Sequence, residues 1–96
     1  MKKFIVFEGI DGSGKSTQVK LLNKSLKKIK ENFFFTREPG GTIFSEKIRK
    51  ILVNKELKDD LLPLTELLLV YAARHEHVVK KILPNLKKNI VICDNK

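Results

Sequence analysis

The stretch Gly9-Ile10-Asp11-Gly12-Ser13-Gly14-Lys15-Ser16 fits G-x-x-x-x-G-K-[ST], the pattern of a loop that wraps phosphate. At this composition the fixed positions coincide by chance in roughly 0.4% of chains this long, so the match is read as functional. The flanks agree with it. Phe4-Ile5-Val6-Phe7 is a short apolar run suited to a strand, and Val19, Leu22, Leu26 and Ile29 repeat at helical spacing just after. Strand, loop and helix in that order define a phosphate loop and point to a three-layer α/β fold of the P-loop NTPase type with a parallel sheet.

The residue types explain the chemistry. Gly9, Gly12 and Gly14 let backbone N–H groups turn inward around an anion, and Ile10, Asp11 and Ser13 complete the ring. A helix starting near Lys15 adds the positive end of its dipole. Lys15 is expected on the β- and γ-phosphates, and the Ser16 hydroxyl on Mg²⁺, with Thr17 behind it. A nucleotide's polyphosphate and Mg²⁺ are therefore the expected ligands.

Taken in order, residues 3–8 read as a buried first strand and residues 15–30 as a helix with a Lys-rich outer face. Phe33-Phe34-Phe35-Thr36 reads as a second strand, completing a β-α-β unit. Pro39-Gly40-Gly41 forces a turn after it. Residues 43–54 fit a short helix that turns Ile48, Ile51 and Leu52 inward, and Lys55 to Leu62 a polar linker. Residues 64–83 fit a long helix carrying Leu64, Leu67, Leu68, Tyr71, His75, Val78, Val79 and Ile82, restarted or kinked at Pro84. So apolar a helix needs cover on most sides. Ile90-Val91-Ile92-Cys93 reads as a third strand ending at Asp94.

At 96 residues and 42% hydrophobic the chain is one globular domain at most. No run of about 18 apolar residues offers a membrane span. A single Cys93 cannot form an internal disulfide, which fits a reducing, cytoplasmic setting. The net charge of +9 raises nucleic acid as a partner, but no aromatics interleave with the lysines to stack bases, so a solvated surface is the better reading. Only Arg37, Arg49 and Arg74 supply the planar fork that grips phosphate or a base edge. His75 and His77 lie on different helix faces and make a poor metal pair; they read as structural or surface residues. Arg74 falls among apolar residues, so a carboxylate or ligand partner is expected for it.

With the loop, Arg37-Glu38-Pro39-Gly40-Gly41-Thr42 and Tyr71-Ala72-Ala73-Arg74 in place, the chain resembles bacterial thymidylate kinase over residues 4–94. The resemblance implies ATP-dependent phosphorylation of dTMP to dTDP. Residues 1–96 would then be the N-terminal portion of a single nucleoside-monophosphate kinase domain, lacking the lid and C-terminal part, and inactive alone. It implies that Asp11 orients the acceptor or metal beside Lys15, that Arg37 and Glu38 belong to the acceptor-phosphate and Mg²⁺ region, and that Arg49 approaches the dTMP phosphate. By the same resemblance Arg74 hydrogen-bonds the thymine, Asp94 joins Ser16 at the metal, and the full-length protein forms a homodimer. Val70 stands where the family usually carries a base-stacking Phe, and Asn95-Lys96 where it continues with Arg and an aromatic. Gly12 resembles the branch whose cationic finger comes from a lid. Two alternatives remain: another P-loop kinase of small acceptors, or a fragment that binds nucleotide or a subunit without catalysis.

Overall fold

The computed structural model describes residues 1–8, 15–29 and 31–95, and gives only the backbone of Lys15, Ser16 and Val19. Three parallel strands form an open sheet: β1 (Phe4–Glu8), β2 (Phe33–Glu38) and β3 (Ile90–Asn95). Their order is β1-β3-β2, so β3 lies between the two strands of the expected β-α-β unit. The reason is hydrophobic. Val91, Ile92 and Cys93 are each at most 1% exposed, and a strand apolar on both faces takes the central place. The expected burial of β1 does not hold, since Phe4, Ile5 and Val6 are 46%, 37% and 42% exposed. Among the described residues β1 is an edge strand that touches α1 only lightly.

Helices surround the sheet as the three-layer α/β class requires. Helix α1 (Lys15–Leu26) is shorter than expected, because its end tightens into turns with Ile29 N–H on the Leu26 carbonyl. Helix α2 (Ile43–Val53) buries Ile48 and half-buries Ile51 and Leu52. The expected linker instead contains a short helix, α3 (Lys55–Asp60), because the Asn54 side chain caps it by accepting from Leu57 N–H.

Helix α4 (Pro63–His77) starts on its proline, whose absent N–H costs nothing in a first turn. A π turn, Val78–Ile82, then leads to the short α5 (Leu83–Leu86). Pro84 has no N–H for a regular helical bond, and the turn before it widens so that Leu83 N–H reaches the Val78 carbonyl.

The expected apolar stripe of α4 mostly faces outward. Leu64, Leu67, Leu68 and Tyr71 are exposed, while Ala73 and His77 are fully buried. Ala73 faces inward because it is small and admits α2 closely. Ser45, also fully buried, donates from Oγ to the Ala73 carbonyl at 2.6 Å. Thr42 caps α2 by accepting from Ser45 N–H at 2.9 Å, and its hydroxyl donates to Ser45 Oγ at 2.8 Å. Below, Ile82, Leu86 and Val91 make the core with Phe34 and Val78. Replacing Ser45 with Ala removes the buried hydroxyl that bonds the Ala73 carbonyl and accepts from Thr42. It should cost about 2 kcal/mol of stability, read as a lower urea midpoint at unchanged slope.

Candidate functional site

The strands end level with one another. Glu8, Asn95 and Glu38 are register partners across β1, β3 and β2, and Asn95 Nδ2 lies 3.4 Å from Glu8 Oε1. Ligands of open α/β sheets bind beyond these carboxyl ends. The phosphate-loop sequence belongs here: β1 stops at Glu8 and α1 begins at Lys15. Residues Gly9, Ile10, Asp11, Gly12, Ser13 and Gly14, and the side chains of Lys15 and Ser16, lie outside the described residues. Thr17 is exposed on the first turn of α1.

Around the end of β2 the charged side chains fall into two groups. Alternation along the strand puts Thr36 and Glu38 on one face and Arg37 on the other. Arg37 therefore does not pair with Glu38. It holds Glu46 of α2 with two hydrogen bonds, Nε to Oε1 at 3.1 Å and Nη2 to Oε2 at 2.7 Å. Glu46 also accepts from Gly41 N–H at 3.1 Å. The Arg37 hydrogen bond outweighs burial and, with the Gly41 N–H, holds the Glu46 carboxyl at about 2.

Glu38 is 9% exposed and stands between two partners. Its Oε1 accepts from Arg74 Nε at 3.2 Å, and its Oε2 lies 3.4 Å from His77 Nδ1. Burial pushes its pKa up, but the His77 bond and the Arg74 charge pull harder and leave it below the ordinary value. Arg74 thus has the carboxylate partner expected of it, although its side chain is 44% exposed rather than buried. Arg49 is drawn to the same turn, where Nη1 donates to the Pro39 carbonyl at 3.0 Å. The Glu38–Pro39 peptide is cis.

Beside this turn is a cleft of about 590 Å³ whose lining includes Pro39, Leu52, Lys55, Lys58, Glu66 and Val70. Val70 therefore faces the site, and its branched side chain leaves room where an aromatic ring would project. A hollow of about 680 Å³ lined by Lys47, Lys50, Lys80 and Lys81 contains neither Arg49 nor Arg74.

Asp94 stands one residue before the end of β3, which runs to Asn95 rather than stopping at Asp94 as expected; it is in register with Phe7 and Arg37 and lines a hollow with Thr36, Arg37, Gly41 and Glu46. Its neighbour Cys93 is a core residue, as expected. Burial first, then the nearby Glu38 and Asp94 charges, push its thiol up to about 12. Among the described residues no group of three or more His, Cys, Asp or Glu could cage a metal.

Comparison with known proteins decides the family. The family model described as Thymidylate kinase matches residues 7–95. The chain belongs to the thymidylate kinase family. It is 56% identical over 93 residues to the thymidylate kinase of Rickettsia typhi, covering 96% of this chain and 44% of that protein. It is 57% identical over 94 residues to that of the Wolbachia of Brugia malayi, covering 95% of this chain and 44% of the relative. A crystal structure of thymidylate kinase from Ehrlichia chaffeensis superposes with a TM-score of 0.82 at 50% identity, over 97% of this chain and 52% of that one. The fold is thus the P-loop NTPase fold of thymidylate kinases. The chain spans about 44% of the length of the curated relatives it matches. Among the described residues no helix is long and apolar enough to cross a membrane.

Two residues of this site were missed by sequence reasoning about function. Glu46 draws no reading at all from the sequence, and His77 reads as structural or surface. A hint was available for Glu46 in the Thr42-Ser45-Glu46 start of α2, where a carboxylate reaches back toward the turn.

Gly41 explains why that turn needs glycine. Its φ is +94°, and a Cβ there would collide with His77 Cδ2 and Nε2. Gly41→Ala should cost about 2–3 kcal/mol, read as a lower thermal midpoint. The pH dependence follows from Glu46. Its folded pKa of about 2 lies below the ordinary 4.5, so its contribution is full above 4.5 and disappears as pH falls toward 2. Unfolding midpoints measured across that window should fall steeply, and less steeply in Glu46→Gln.

Proposed function

We propose that this chain carries the phosphate loop and the acceptor-gripping residues of an enzyme that transfers the γ-phosphoryl group of ATP to dTMP. The observation that carries the reading is the convergence of Arg49, Arg74 and Glu38 on one turn at the carboxyl edge of the sheet, level with the end of β1. Phosphoryl transfer needs two anions brought in line and their charge neutralised, with little covalent work from the protein. The bond from the γ-phosphorus to the β,γ-bridging oxygen breaks. A new bond forms from that phosphorus to a phosphate oxygen of dTMP, giving ADP and dTDP.

In this reading the loop amides from Gly9 to Gly14 and the Lys15 ammonium hold the donor's polyphosphate, with Thr17 alongside. Ser16 and Asp94 would hold Mg²⁺, which supplies charge neutralisation on the transferred group. Asp11 orients the acceptor or metal. Arg49 offers its fork to the dTMP phosphate, and Arg74, braced by Glu38, addresses the thymine. Val70 and Pro39 line the side of the cleft against which the base packs. Arg37 contributes through Glu46, by holding the turn that carries Pro39.

A second reading is nucleotide binding without transfer. Cytoplasmic location and a homodimer, as in the family, belong to the first reading.

Calorimetric titration of the chain with dTMP, thymidine and dCMP tests the acceptor assignment. dTMP should bind tighter than both. Arg49→Ala should weaken dTMP by about tenfold and leave thymidine unchanged, whereas Arg74→Ala should weaken both. Equal affinity for dTMP and dCMP would refute the assignment, and dTDP formation followed in parallel separates transfer from binding alone.

A further inference from the structure

His77 is fully buried, and nothing in the proposed transfer uses it. Its ring lies across two side chains on one face of β2. Thr36 and Glu38 are two residues apart, so they point the same way from the strand. His77 Nε2 lies 2.5 Å from Thr36 Oγ1, and Nδ1 lies 3.4 Å from Glu38 Oε2. A carboxylate only accepts, so the partners assign the ring proton to Nδ1, and the Thr36 hydroxyl donates to Nε2.

The approach to Glu38 is an ion-pair distance short of a completed hydrogen bond, and a buried N–H left unanswered is costly, so the Glu38 carboxylate is the acceptor toward which Nδ1 is drawn. Gly41 gives the ring its place, since a Cβ there would strike it. The carboxylate is therefore approached from two sides, with one oxygen toward His77 and the other bonded to Arg74. A Leu of similar bulk would fill the space but leave Glu38 held on one side only. Arg74, half in solvent, takes its direction from that carboxylate.

We propose that His77 is a positioning residue of the acceptor site: it fixes the Glu38 carboxylate, which in turn aims the Arg74 guanidinium at the acceptor's base. The inference rests on the reading of Arg74 given above. Histidine suits the role because its two nitrogens can engage Thr36 and Glu38 at once. Either end can be removed separately. In His77→Asn the side-chain amide reaches where Nδ1 stands and can still serve Glu38. In His77→Gln it reaches where Nε2 stands and serves Thr36 only.

The test is a double-mutant cycle read by dTMP affinity, with the unfolding midpoint of each variant alongside. His77→Gln should weaken dTMP by about tenfold and His77→Asn by less than about threefold. In an Arg74→Ala background, His77→Gln should add less than about twofold. A second readout needs no ligand. The Arg74 Nε–H signal in a ¹H–¹⁵N spectrum should move in His77→Gln and Glu38→Gln, and stay in place in His77→Asn.

Equal loss in both histidine variants, tracking their midpoints, would reduce His77 to packing and overturn the proposal. A full additive loss over Arg74→Ala would do the same, as would an Arg74 signal indifferent to His77→Gln. If Arg74→Ala leaves dTMP affinity unchanged, the base-reading role of Arg74 fails. The Nε–H signal then still decides whether His77 acts on Arg74 through Glu38.

Discussion

The end of β2 depends on a single buried carboxylate. Glu38 is nearly out of water, where an unaccompanied charge would be too costly to keep. It remains ionised because one oxygen meets Arg74 and the other faces His77. Both partners come from α4, so the carboxylate ties that helix to the carboxyl end of the strand. The cleft beside Pro39 lies next to this junction.

A second carboxylate organises the other side of the turn. Glu46 receives the Arg37 fork and the Gly41 N–H, so the strand, the glycine turn and the first turn of α2 are joined through one side chain. Its pair with Arg37 is part-exposed and contributes little by itself. Its importance is geometric: the turn it closes carries the Pro39 carbonyl that Arg49 holds. Arg37, Arg49 and Arg74, all the arginine the chain has, thus serve the same dozen or so residues.

Much of this was legible in the sequence, for physical reasons that differ by element. The loop motif and its flanking strand and helix are local, and the boundaries at Glu8 and Lys15 follow. Pairing of Arg74 with a carboxylate followed from its apolar neighbours. What sequence could not show depends on where elements meet. Strand order lay beyond the sequence reading because adjacency in sequence does not decide which strand is most buried; Val91-Ile92-Cys93 takes the centre between β1 and β2. Apolar count showed that α4 needs cover on most sides but not which side faces the sheet; Ala73 and His77 take the inner face because small size and a polar partner on β2 matter more there. The expected linker at Lys55 became a helix through the single cap of Asn54.

The hydroxyl relay from Thr42 through Ser45 ends on the carbonyl of Ala73, the residue just before Arg74. Arg49 rides on the same α2 that Ser45 anchors. The roots of the two arginines are therefore fastened together through main chain and short side chains, with no long flexible link between them. Such a fitting acts as a caliper. In the acceptor site proposed above it would set how far apart a phosphate and a ring can be gripped at once, and so write the length of an acceptable acceptor into the spacing of two helices.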